Sequence, residues 1–343
     1  MGSRAATMSI INLIPLFCGP RLSLITSLLG ISVRTSIGTH QWFGRTAIAQ
    51  MSLHTLISLR SKGISWRTMS NWTGVVAASA SGVILIVSIR LVRRALYEWF
   101  LNSHLVLSIV VLIALWGHVP SKKPAEVFLW SGVSLWTLAT FCHWAWFAFR
   151  NVSYGRKFAR ALVTRPADRY EMEKSLTSMS NVFQVDITVP RPWEVKAGQF
   201  VFLSIPKLGF FRGLRGHPFM VTWWEPEQIS LLVKSRAGFT ADLGRHLDKS
   251  LLAFIDGPYG TGHGFGEYGT VIMLATGIGI ASHIPFIKEL VGGYNDCAVK
   301  TRRIRLYWEI KEQRHERWVK HRMDQLLDAD KGYVQNPLPG SFP

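Results

Sequence analysis

Apolar and polar positions divide the chain near Arg150. Before it, apolar stretches recur between short connections that carry Arg and Lys: His40 to Leu59, Trp72 to Ile89, Phe100 to Val119 and Ala125 to Phe149. A membrane span needs about 20 predominantly apolar residues, so each predicts a spanning helix. Met8 to Gly19 is shorter and reads as the remnant of another, giving about five spans. Beyond Val163 the pattern changes to short runs between turns: Val182 to Pro190, Ala197 to Pro206, His217 to Trp224, and Ile229 running into a helix that ends at Leu243. Strands at such regular spacing predict a small antiparallel barrel. Thr270 to Ala275 is then a fully apolar strand, Thr276 to Gly279 a tight glycine turn, Ile280 to Leu290 a helix and Arg303 to Ile310 a returning strand. A βαβ unit with glycines at its first turn meets the mechanical requirement of a dinucleotide phosphate site. A helix over Arg314 to Leu327 and the tail GYVQNPLPGSFP complete the chain.

Charge sharpens this division. The net charge is +18, yet up to Arg150 thirteen Lys and Arg accompany only two acids, Glu98 and Glu126. Acid-poor spans with basic connections are the composition of a membrane protein, which sets nucleic-acid binding aside. If the half beyond Arg150 is cytosolic, the inner flanks carry Arg21, Arg34, Arg90, Arg93, Arg94, Arg150, Arg156, Lys157 and Arg160. The outer ones carry Arg60, Lys62, Arg67, Lys122 and Lys123, in keeping with the positive-inside rule. The sequon Asn71-Trp72-Thr73 falls on the outer side, close against the membrane. Cys18, Cys142 and Cys297 have neither disulfide nor metal spacing. The N-terminus has no signal-cleavage or myristoylation pattern.

Two spans carry histidines at the same spacing, His40 and His54 in one, His104 and His118 in the other. Fourteen residues at roughly 100° each fall about 40° short of four turns, so each pair shares a face about 21 Å apart along the axis. A single pair is equally well read as helix-packing hydrogen bonds, but the repeat is not. The two helices run in the same direction, so His40 matches His104 in depth and His54 matches His118. Two levels of facing imidazoles are what two stacked bis-histidine haems require. Arg45 is placed to pair with a propionate or to serve as a packing residue. No second histidine falls at the depth of His143, which reads as a helix contact. In the second half, Lys234 ahead of Gly238 and Thr240 offers a cation and backbone N–H groups to a phosphate, as ordinary strand-to-helix turns also do.

The ordered set of motifs resembles the fungal ferric/cupric reductase family, related to the NADPH oxidases. It comprises the two H-x13-H helices, HPF at His217, GPYG at Gly257 and ATGIGIASHIPFIKEL from Ala275. The resemblance implies a multi-pass α-helical membrane domain followed by a ferredoxin-reductase-like module, with an antiparallel β-barrel FAD domain and a partial α/β nucleotide-binding domain. The expected boundaries are 1–150, 160–262 and 263–330, with an atypical tail over 331–343. It further implies two b-type haems ligated by His40, His54, His104 and His118, and a flavin ring held by His217, Pro218 and Phe219. Lys234, Gly238 and Thr240 would meet the FAD pyrophosphate, and Gly277, Gly279 and Pro285 would receive NADPH. Electrons would pass from NADPH through FAD, the inner haem and the outer haem to an extracytoplasmic Fe(III) or Cu(II) chelate across the plasma membrane, with no catalytic acid or base.

The chain departs from the family pattern in three places. The family's hydroxyl residue after HPF is Met220, for which Thr222 is the expected partial substitute. The chain opens at what reads as the second of six helices, and its tail lacks the further strands and distal Cys motif of a complete nicotinamide domain. Superoxide production on the same architecture, or a non-catalytic haem- and flavin-binding fragment, are the competing readings.

Overall fold

The computed structural model describes residues 2–21, 29–62, 68–119, 124–153, 158–166, 181–209, 213 and 215–331. The tail over 332–343 and the basic connections at Arg67, Lys122, Lys123, Arg156 and Lys157 lie outside them. The chain forms two compact units, Met1–His143 and Trp144–Pro343.

The first unit is helical. Its elements are α1 (Gly2–Leu13), α2 (Val33–Lys62), α3 (Met69–Val87), the short α4 (Arg90–Ala95), α5 (Tyr97–His118) and most of α6 (Pro124–Asn151). Among the described residues, three helices are long and apolar enough to cross a membrane: Met69–Val87, Trp99–His118 and Pro124–Asn151. The expected span from His40 forms as a helix of 30 residues, but Arg34, Arg45, Arg60 and the polar residues between them keep α2 out of that set. The segment from Met8 divides into the end of α1 and a 3-10 turn, Ile14–Arg21.

Two helix pairs organise this unit. Small residues let α3 approach α5 so closely that a Cβ on Gly74 would stand 2.6 Å from His118 Nδ1, and one on Gly117 2.9 Å from Thr73. The core of the pair is Ala77, Ala80, Val111, Ala114 and Leu115, joined by Ile10 and Leu129. On the opposite side Leu105, Val106, Ile109 and Ile113 of α5 are exposed, as a lipid-facing stripe would be. Helix α1 is fastened to α2 by the buried Ser9, whose hydroxyl donates to Ala47 O at 2.8 Å, and by Asn12 donating to Gln50 Oε1 at 2.9 Å.

The second unit takes in the last turns of α6 and two antiparallel sheets. The strands are β1 (Arg160–Thr164), β2 (Val182–Thr188), β3 (Phe200–Ser204), β4 (His217–Met220), β5 (Trp223–Glu225), β6 (Gln228–Lys234), β7 (Ser250–Leu252) and β8 (Phe254–Tyr259). One sheet has the order β5-β6-β2-β1-β7 and the other β4-β3-β8, over a shared core that includes Val185, Ile187, Val201, Leu203, Ile229, Leu231 and Ile255. The run HPFMVTWW, expected as one strand, is two. Val221 N–H donates to Gln199 O and Thr222 N–H to Ser230 O, so the chain changes sheet between β4 and β5.

Helix α7 (Phe239–Gly244) follows β6. The nucleotide-type segment is β9 (Thr270–Thr276), a 3-10 turn (Gly277–Ser282), α8 (Ile284–Asn295), β10 (Arg303–Glu309) and α9 (Lys320–Ala329). β9 and β10 pair in parallel, as a crossover through α8 requires. The predicted helix from Arg314 begins instead as a 3-10 turn, Gln313–Trp318, before α9. β9 is buried on one face only, with Ile272 and Leu274 exposed at 62% and 72%. Its inner face joins Ile284, Ile287, Leu290, Trp318 and Leu326 against Trp223 and Leu232 of the antiparallel strands.

Candidate functional site

The helical unit brings the four predicted histidines together in the expected pairs. His40 and His104 have ring centroids 6.3 Å apart with planes at 58°, and His54 and His118 are 6.0 Å apart at 65°. Fourteen residues of helix separate the levels, about 21 Å at 1.5 Å per residue.

The second level is anchored by backbone. His54 Nδ1 lies 3.0 Å from Gly2 O and His118 Nδ1 2.7 Å from Ser70 O, while Ser70 Oγ returns a bond to His118 O at 2.9 Å. A ring Nδ1–H held on a carbonyl fixes the tautomer and leaves Nε2 as an unprotonated donor atom. At the first level the Nδ1 atoms of His40 and His104 are buried and have no hydrogen-bond partner among the described residues. Arg45 has its guanidinium 5.5 Å from the Trp42 ring, and His143 is buried.

In the second unit the predicted flavin residues lie on β4, in register with β3: His217 opposite Leu203, Pro218 opposite Phe202, Phe219 opposite Val201 and Met220 opposite Phe200. The His217 ring is stacked on Phe239 at 4.0 Å and 19°, a contact between residues distant in sequence. Thr222 is buried and its hydroxyl accepts from Leu232 N–H at 3.2 Å, so it ties β6 to the chain between β4 and β5. Lys234 is exposed at the end of β6. Gly238 takes φ +66°, a backbone that favours glycine, and Thr240 Oγ1 closes the turn by accepting from Arg236 N–H at 3.0 Å.

The glycine turn after β9 lies at the carboxyl end of a parallel strand, where open α/β sheets bind ligands. Gly277 has φ +49°, and Gly279 is exposed. Pro285 is buried in the first turn of α8, where its fixed φ starts the helix, so the glycines and not the proline line the open side. Lys288 of α8 lies 4.2 and 4.3 Å from the Trp223 and Trp224 ring centroids and donates to Trp224 O. Burial pushes its ammonium pKa down to about 8, with Arg322 adding to the shift and Glu225 opposing it.

Three family models match along this geometry in order. The ferric reductase like transmembrane component covers residues 5–115, the FAD-binding domain 169–263 and the ferric reductase NAD binding domain 268–336. In sequence the chain is similar to ferric reductases. It is 26% identical over 299 residues to ferric/cupric reductase transmembrane component 2 of Saccharomyces cerevisiae, covering 81% of this chain and 38% of that one. With a probable ferric reductase transmembrane component of Candida albicans it shares 25% over 338 residues, covering 92% and 45%. The chain thus spans less than half the length of these relatives. Among solved structures, ferredoxin-NADP+ reductase from Plasmodium falciparum aligns over 55% of this chain and 71% of its own, at 15% identity and a TM-score of 0.37. The chain is a membrane protein whose helices are followed in sequence by FAD- and NAD(P)-binding domains.

Sequence reasoning did not find the backbone partners Gly2 and Ser70, the glycine that admits His118, or the Phe239 stack. Gly74 alone left a trace, as a small residue in an apolar span.

Proposed function

We propose that the chain is a transmembrane metalloreductase of the plasma membrane, carrying electrons from NADPH through FAD and two b-type haems to an extracytoplasmic Fe(III) or Cu(II) chelate. The observation that carries this reading is the pair of histidine couples. Two imidazole nitrogens bound to one metal ion at about 2.0 Å each would put their ring centres roughly 6 Å apart. The observed 6.3 and 6.0 Å fit an iron held between each couple. Haem supplies one-electron chemistry when bound, and flavin the exchange between hydride and single electrons.

The protein's own part is binding and orientation. His40 and His104 would hold the inner haem, and His54 and His118 the outer one, with Gly2 O and Ser70 O fixing the outer rings. His217, Pro218 and Phe219 would support the flavin ring, Lys234, Gly238 and Thr240 its pyrophosphate, and Gly277 and Gly279 the nicotinamide dinucleotide. Helix α2 is suited to an interior place, because its polar residues and histidines would be costly against lipid.

Chain purified with its cofactors and sealed into vesicles, with NADPH on the side of the second unit, tests this directly. Ferric chelate enclosed on the other side is expected to be reduced at two Fe(II) per NADPH. Oxygen consumption with superoxide and no Fe(II) would assign the oxidase reading instead, and no NADPH oxidation at all would remove the enzyme reading.

A further inference from the structure

The glycine turn after β9 is held by a side chain from the neighbouring strand. Trp308 stands on β10 in register with Ala275, and its indole N–H donates to Gly277 O at 2.8 Å. The same ring lies over the second core, 6.3 Å from the Trp318 centroid, so packing fixes the indole before the bond is made. Gly277 adopts φ +49°, which glycine takes without strain, and the side chain of Thr276 before it makes no capping bond to the turn, so the Trp308 bond is the side-chain contact that orients its carbonyl.

A planar trans peptide directs its C=O and its N–H to opposite edges. Drawing the Gly277 carbonyl toward Trp308 therefore turns the N–H of Ile278 the other way. The first donors of a helical turn have no partner within it. The open side here is the carboxyl end of the parallel pair, where a dinucleotide's phosphates lie in such sheets. We propose that Trp308 is the positioning residue of this turn, its indole N–H setting the Gly277–Ile278 peptide so that the Ile278 N–H meets the pyrophosphate of the bound dinucleotide. This rests on the reading of the glycine turn as the NADPH site.

Trp308→Phe keeps an aromatic ring toward Trp318 and removes the donor together with part of the indole's volume. In the full chain with FAD bound, NADP+ and adenosine 2′-monophosphate are titrated against wild type and variant, with flavin content and thermal midpoint measured on both. A net hydrogen bond of about 1 kcal/mol corresponds to a roughly fivefold change in affinity, so NADP+ should bind that much more weakly to the variant. Adenosine 2′-monophosphate, which lacks the pyrophosphate, should bind both proteins within twofold. Equal weakening of the two ligands, or weakening of neither, overturns the inference by reducing Trp308 to packing. Failure of the wild type to bind either ligand overturns the NADPH reading of the turn, and this inference with it.

Should the variant lose its flavin, residue-resolved amide exchange on the wild type decides. NADP+ is expected to protect the Ile278 amide while leaving 303–309 unchanged. An Ile278 amide that exchanges at the same rate with and without NADP+ overturns the proposal.

Discussion

His54 and His118 face each other at 6.0 Å, and each has its Nδ1 on the backbone carbonyl of a different helix, Gly2 of α1 and Ser70 of α3. Neither carbonyl can be removed by substitution, but the approach of α3 can be changed. Gly74→Ala would place a Cβ 2.6 Å from His118 Nδ1, whereas Gly82→Ala on the same helix meets nothing within 4 Å. Disturbing the groups that orient a metal ligand typically weakens metal affinity about 10–100-fold. Gly74→Ala should therefore lower outer-haem retention or shift its midpoint potential, and Gly82→Ala should do neither. Indistinguishable redox titrations of the two variants would detach Gly74 from the site.

Asn151, the last residue of α6, is 2% exposed and bridges the backbone of Ile255. Its Nδ2 donates to Ile255 O at 2.7 Å, and its Oδ1 accepts from Ile255 N–H at 2.8 Å, as a neighbouring strand would. Arg150 beside it lies over both Trp146 and Trp193, at 4.5 and 4.8 Å. Asn151→Ala leaves two buried backbone groups unpaired, each costing about 1–3 kcal/mol. The temperature of flavin release should fall clearly, with Asn151→Asp in between because it still accepts from Ile255 N–H but cannot donate. An unchanged release temperature in Asn151→Ala would show that water replaces the amide.

Much of this was legible because its determinants are local. The fourteen-residue spacing of His40 with His54 and His104 with His118 needs only helix geometry, and the alternation in Val182 to Thr188 needs only a strand with one buried face. What stayed hidden depends on neighbours far along the chain. HPFMVTWW reads as one strand until Gln199 and Ser230 claim Val221 and Thr222 for different sheets. Thr222 reads as a substitute for the hydroxyl missing at Met220, and its burial and its bond from Leu232 N–H appear only once β6 is in place. Asn151 resembles an ordinary polar helix end, because its partner lies 104 residues away. The polar content of α2 makes the opposite point, since its histidines are easier to read than its place relative to lipid.

The Lys288 ammonium, half-buried against Trp223 and Trp224, carries a definite pH dependence. Its folded pKa of about 8 lies below the ordinary 10.5, so between those values the unfolded chain binds more protons than the folded one. Stability from this group therefore rises with pH across that window and is flat below it. Glu225 acts against this shift and Arg322 with it. The thermal midpoint of wild type relative to Lys288→Met should improve from pH 8 toward pH 10, within the window those two pKa values set. A difference that stays level or declines over that range would place the ammonium in water.

Haem content of the histidine variants is the most direct measurement. Purified wild type, His104→Ala and His118→Ala are compared by haem quantitation and by reduced-minus-oxidised spectra with NADPH as reductant. Two b-type haems per chain are expected in the wild type and one in each variant. NADPH should still reduce the remaining haem in His118→Ala, but not in His104→Ala, whose inner haem is missing. A wild type without a b-type spectrum, or a His104→Ala protein that keeps both haems, would contradict the pairing of His40 with His104 and of His54 with His118.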